Sequence, residues 1–183
     1  LKYSLLVAID DQFSSYKDCF GYVGVDCHTF SQETFKTRYE TLTATMNPQD
    51  TCIVIGGDMS ALPSLLTSDI DLIIKISPCL SRAPLVPEKP VDHSNYISSL
   101  PESTRAKLVH FGVLDYTNTQ SQLDAATVED KSKVVYLDKL GQTNAAAFAA
   151  LLQPLTSQTK LAVVLDCESL TPDYFPGVSN PAV

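Results

Sequence analysis

The run Ile53-Val54-Ile55-Gly56-Gly57-Asp58-Met59-Ser60 decides how the rest of the chain is read. Its β-branched opening has no polar face, and a continuously apolar strand is one covered on both sides, as in a parallel sheet between helices. Two glycines then turn the chain. An acidic residue follows at the carboxyl end of the strand, where open parallel sheets bind their ligands.

Two further strand ends share this form. One is Ser77-Pro78-Cys79-Leu80-Ser81, after an apolar run from Leu72 to Ile76; the other is Asp166-Cys167-Glu168, after Leu161 to Leu165. Strands are also expected at Ser4 to Ile9, Phe20 to Val25, Cys52 to Ile55, Leu108 to Val113 and Val134 to Leu137. Between them lie helix patterns. Ser31 caps one that carries Phe35, Tyr39, Leu42 and Met46 on a single face. A second runs from about Thr143 through the alanine-rich stretch to Leu152, where Pro154 stops it, and weaker helical segments follow Asp58 and Asn118. Strands and helices in alternation predict a three-layer α-β-α sandwich with a mainly parallel sheet and right-handed crossovers. The stretch from Cys79 to Pro101 breaks this rhythm with Pro84, Pro87 and Pro90, and reads as a long loop, functional or disordered.

The three strand ends, in this order, resemble the metal motifs of the ureohydrolases (arginase, agmatinase, formimidoylglutamase). In that family a strand ends in G-G-D-H-S, the next in D-A-H-x-D, and a later one in D-x-D-x-L-D-P before a Pro/Gly-rich loop. Gly56-Gly57-Asp58-Met59-Ser60 is similar to the first, with Met59 in place of His. Ser77, Cys79 and Ser81 occupy the Asp, His and Asp positions of the second. Asp166-Cys167-Glu168-Ser169-Leu170-Thr171-Pro172 is similar to the third, keeping Asp166 and exchanging the second Asp for Glu168. The resemblance runs from Thr51 onward and implies a single arginase-like α/β domain over residues 1–183, incomplete at its C-terminus. Ureohydrolases continue with a further helix and a last strand inside the sheet. A partial sequence, a strand supplied by a partner, or a different local fold would each account for the difference.

What the resemblance implies about chemistry is set by the departures. Of the six positions it assigns to a two-manganese site, four hold Met59, Ser77, Cys79 and Ser81, and only Asp166 and Glu168 are carboxylates. Manganese that activates water requires hard oxygen and imidazole donors. The expectation is an arginase-like protein without a metal cofactor or catalytic residues, with a binding, regulatory or structural role. A structural subunit of a larger assembly and a C–N hydrolase of amidines with a non-standard metal site are the alternatives. By resemblance, Cys79 and Cys167 lie on neighbouring strands, where geometry would allow a disulfide or redox pair, while two unlinked buried thiols are the favoured reading. The family also implies an oligomer, a homotrimer by resemblance, or membership of a larger complex.

Other residues have plainer readings. Val25-Asp26-Cys27-His28-Thr29 looks like the second motif but precedes the Gly-Gly-Asp strand, and a solvated strand end competes with a functional role. His93 sits in the proline-rich loop, and His110 reads as a core or sheet-face histidine. No G-x-S-x-G elbow and no phosphate-binding glycine fingerprint is present. The chain holds 13 basic and 21 acidic residues, a net charge of -8, with no basic run, which argues against nucleic acid as a partner. No apolar stretch approaches the roughly 20 residues of a membrane span. Five scattered cysteines without a C-x-x-C pair suggest an intracellular protein, cytoplasmic or in an organelle matrix such as the mitochondrial one.

Overall fold

Among the residues described by the structure, a computed structural model, seven strands form and every pairing between them is parallel. Those residues are 3–8, 26–29, 51–55, 59–137, 142–166 and 169. The chain divides into two compact units, Leu1–Ser64 and Leu65–Val183.

In the first unit, β1 (Tyr3–Ala8) lies between β2 (Asp26–Thr29) and β3 (Thr51–Ile55). A 3-10 turn, Met59–Ser64, follows β3 and contains Pro63. The expected strand Phe20 to Val25 and the helix expected after Ser31 lie outside the described residues. Between them β2, which carries Asp26 and His28, sits at the edge of its sheet.

The second unit has β4 (Leu72–Ile76), β5 (Leu108–Val113), β6 (Lys133–Tyr136) and β7 (Leu161–Leu165) in the order β6-β5-β4-β7. Among the described residues three helices accompany them: α1 (Glu102–Arg105), α2 (Gln120–Asp124) and α3 (Gln142–Leu152). Thr119 caps α2 in a reciprocal capping box with Gln122. The chain then widens into a π turn, Ala125–Glu129. No described helix is long and apolar enough to cross a membrane.

The two faces of the β4–β5–β6 sheet differ in chemistry because side chains alternate along each strand. Ile74, Val109 and Phe111 pack with Leu151, together with Leu72, Ile76, Val135, Ala147 and Phe148, so one face is apolar and covered by α3. Phe111 and Phe148 meet edge to face with centroids 5.2 Å apart. Alternation places Lys75 of β4 and His110 of β5 on the opposite face, and their α-carbons are register partners. At Gly112, with φ of 80°, β5 bulges and the register shifts between Phe111 and Val113. Val113 thereby leaves the α3 face and packs against Leu80, Ala126 and Val134.

The long segment after β4 is fastened by a buried ion network. Asp130, its side chain 1% exposed, accepts from Arg82 Nε at 2.7 Å and from Arg105 Nε at 2.6 Å. Arg82 also reaches Ser98 Oγ at 2.9 Å, while Arg105 donates to the carbonyl of Leu100. Burial pushes the Asp130 pKa up, but the two guanidinium groups outweigh it and hold the carboxyl below its usual range. Removing that carboxylate leaves Arg105 without its ion-pair partner and Arg82 with only the exposed Glu129 at 3.5 Å. Asp130→Asn is therefore expected to cost about 3–5 kcal/mol, read as a lower urea midpoint at unchanged slope.

Candidate functional site

The carboxyl ends of β4 and β7 meet because the two strands are parallel neighbours, with Ile76 opposite Leu165. Just beyond them, Ser77 N donates to Phe111 O at 3.1 Å and Asp166 N donates to Ile76 O at 3.0 Å, which carries the ladder one residue further. This brings Ser77 and Asp166 side by side, and the Ser77 hydroxyl donates to Asp166 Oδ2 at 3.0 Å. The Cys79 amide in turn donates to Ser77 Oγ at 3.2 Å. Ser169 closes the other side, its hydroxyl on Ile76 O at 2.8 Å and its amide on Asp166 O at 2.9 Å.

The loop from Ser77 to Ser81 is held from above by Asn118. Its carbonyl oxygen accepts from Leu80 N at 2.7 Å, and its amide group donates to Pro78 O at 3.0 Å and Leu114 O at 2.8 Å. Thr117 Oγ1 adds a bond to Pro78 O at 2.7 Å. Ser81 ends the loop in the left-handed region, φ 55°, buried, with its carbonyl accepting from Ile97 N at 3.2 Å. A serine held there is strained, and the bonds on either side of it hold it in place.

Beneath the loop lies a cluster that the strand pattern alone did not mark. Lys75, 1% exposed, sends its ammonium to the carbonyl of Cys79 and lies 5.8 Å from the centre of the Tyr96 ring. Burial pushes the Tyr96 phenol well up, and the negative charge of Asp166 adds to this. The Ser81 hydroxyl, close but without a formed hydrogen bond, opposes the shift. His110 is buried with neither ring nitrogen hydrogen-bonded to a described residue. Burial, then the charge of Lys75, push its pKa down to about 3, against a smaller pull from Asp130. The imidazole is neutral, as expected for a core histidine beside a buried cation.

Met59 lies in the other unit, half-buried at the start of the 3-10 turn. Asp26 and His28 belong to β2, where His28 pairs with Val7. His93 is exposed in the proline-rich loop. Asp58, Cys167 and Glu168 lie outside the described residues. Among the described residues no group of three or more His, Cys, Asp and Glu is gathered. Of the positions singled out in the sequence, Ser77, Cys79, Ser81 and Asp166 share this strand-end region of the second unit. Lys75, Tyr96 and Asn118 join them without having been singled out. A lysine inside the apolar run Leu72 to Ile76 was the available signal for the first.

Solved structures share this architecture. A proclavaminate amidino hydrolase from Streptomyces clavuligerus superposes with a TM-score of 0.68 at 16% identity, over 98% of this chain and 73% of its own. The arginase-like fold is thereby established. Formimidoylglutamase from Bacillus subtilis matches with a TM-score of 0.70 at 13% identity, over 98% of this chain and 69% of its own. A Trypanosoma cruzi formiminoglutamase solved with manganese matches with a TM-score of 0.71 at 15% identity, over 99% of this chain and 75% of its own. No protein-family model and no curated protein matches the arginase-like chain.

The neutral His110 makes a pH prediction with a definite sign. Its pKa is depressed in the fold from 6.5 to about 3, so the unfolded chain takes up the proton first. Stability from this residue is complete above pH 6.5 and falls as pH drops toward about 3, with a slope of up to about 1.4 kcal/mol per pH unit. His110→Leu, which removes a polar group with no hydrogen-bond partner among the described residues, is expected to be neutral or stabilising at pH 7. Urea titrations at pH 4 and pH 7 should show a smaller difference for the variant than for the wild type.

Proposed function

We propose that this arginase-like chain is a non-catalytic protein that keeps the ureohydrolase scaffold, as one domain, and uses it for binding or assembly. The single observation that carries the reading is the hydrogen bond from Ser77 to Asp166. At the strand end that matches the second motif, a neutral hydroxyl donates to the carboxylate that a metal ion would need.

The ligands of a binuclear manganese site do not fit the residues proposed for those positions. Ser77 and Ser81 are buried hydroxyls, and Met59 offers a soft thioether that favours metals other than manganese. The ammonium of Lys75 bonds the Cys79 carbonyl at the same strand end. A buried positive charge there raises the cost of placing divalent cations beside it. The donor set thus supports a site stabilised by protein hydrogen bonds, with no metal-activated water. A partner or small polar molecule would bind to the loops at these strand ends, the usual ligand position of such sheets.

Elemental analysis of the purified protein is expected to find no stoichiometric manganese, and no urea should form from arginine or agmatine. Two manganese ions per chain would overturn the reading. The variant combining Met59→His, Ser77→Asp, Cys79→His, Ser81→Asp and Glu168→Asp should gain manganese binding; a folded variant that binds none at about 1 mM would show the motif alignment to be wrong.

The pairing of β4 with β7 supports a second part of the proposal, that Cys79 and Cys167 act as a redox pair. After mild oxidation, peptide mapping should recover Cys79 linked to Cys167. Linkage of Cys79 to Cys19 or Cys52 within one chain would contradict it.

A further inference from the structure

Residues 84–90, Pro84-Leu85-Val86-Pro87-Glu88-Lys89-Pro90, are all exposed, including two aliphatic side chains, Leu85 at 49% and Val86 at 48%. The segment does not hang loose, because both of its feet are fastened. Ala83 N donates to Ser94 O at 3.0 Å, and Ser98 Oγ donates to Ala83 O at 2.6 Å. On the far side, Asp92 Oδ1 accepts from Ser94 N at 2.8 Å, and Asn95 Oδ1 accepts from Asp92 N at 2.9 Å. The fold thus displays this heptapeptide on a short, anchored loop.

Its sequence is preset for polyproline II. Pro84, Pro87 and Pro90 each fix their own φ, and each biases the residue before it toward extended backbone. Polyproline II has three residues per turn, so prolines at this spacing fall along one edge. Pro84-x-x-Pro87 is the spacing read by aromatic-lined grooves, and Lys89 follows two positions later. Lys89 forms no ion pair among the described residues, in a chain of net charge -8.

One feature holds the segment short of that conformation. Lys89 N donates to Val86 O at 3.2 Å, closing a turn with Pro87 and Glu88 at its centre and Glu88 at φ 69°. This is the pattern of a type II turn, whose third position favours glycine. A glutamate there is strained, and only one long hydrogen bond closes the turn. Releasing it returns Glu88 to ordinary backbone and extends Lys89 along the line of the prolines.

We propose that this loop is a docking ligand for an SH3-type domain, with Pro84 and Pro87 in the aromatic groove and Lys89 against its acidic flank. The inference does not depend on the reading of the strand-end site. The test is titration of the intact chain into an isotope-labelled SH3 domain that prefers P-x-x-P-x-K, followed by NMR. Saturable shifts at the aromatic groove are expected. Pro84→Ala with Pro87→Ala should weaken binding by about tenfold or more, Lys89→Glu should weaken it, and Lys89→Arg should retain it. These exposed substitutions should leave the melting temperature unchanged; if the proline variant melts early, Lys89→Glu against Lys89→Arg decides. Absence of shifts at about 1 mM, binding unaffected by the proline and Lys89→Glu variants, or binding only to a WW or EVH1 domain tested alongside would overturn the proposal.

Discussion

The ammonium of Lys75 must be solvated by protein, because β4 lies between β5 and β7 and its lysine is only 1% exposed. An ionised amine in that position is costly unless hydrogen-bond acceptors surround it. The backbone supplies one at the Cys79 carbonyl, which fixes where the chain goes after the strand. The face of the Tyr96 aromatic ring lies nearby and adds a favourable quadrupole. Much else follows from this placement. The loop has to pass over the strand end, Tyr96 has to be brought in from the proline-rich segment, and His110 beside the lysine has to stay neutral.

The two faces of the second unit's sheet therefore serve different ends. The α3 face is an ordinary aliphatic and aromatic core and contributes stability through buried area. The opposite face carries Lys75 and His110, continues into Ser77 at the strand end and Ser81 in the loop, and the Arg82–Asp130–Arg105 network fastens the segment that follows β4. Buried polar networks contribute less to stability than apolar packing does, and they specify geometry more tightly. One structural neighbour, the proclavaminate amidino hydrolase, is by its name a hydrolase of amidino groups. In the present chain hydrogen bonds link Lys75, Cys79, Ser77 and Asp166 in series at this strand end.

Most of the sheet was legible in the sequence. The apolar runs at 72–76, 108–113 and 161–165 became β4, β5 and β7 with those bounds. The buried strands β4 and β5 have little polar register to blur them, whereas Leu161, Val163 and Leu165 leave one side of β7 exposed, against the expectation of cover on both faces. The helix ahead of Pro154 and the helical turn after Asn118 also formed. The neighbouring of β4 and β7, implied by the resemblance, placed Ser77 beside Asp166. Lys75 and Tyr96 were not legible as site residues. One reads as an interruption of a strand and the other as part of an irregular segment; only the path of the chain buries both. The same holds for Asp130, whose partners are 25 and 48 positions away in sequence. The π turn before it has no local signature that alternation or capping would reveal.

The bulge at Gly112 has a consequence for how freely the position can drift. A β-carbon built there would meet no atom within 4 Å, so the site has room for a side chain. The restriction comes from the backbone alone, at φ 80°, where a β-carbon is disfavoured whatever lies around it. Tolerance at residue 112 is thus graded by backbone preference more than by bulk, with asparagine and aspartate the mildest replacements and β-branched residues the harshest. A position that looks spacious is conformationally exclusive, and it is the one that turns Val113 toward Leu80 and Ala126.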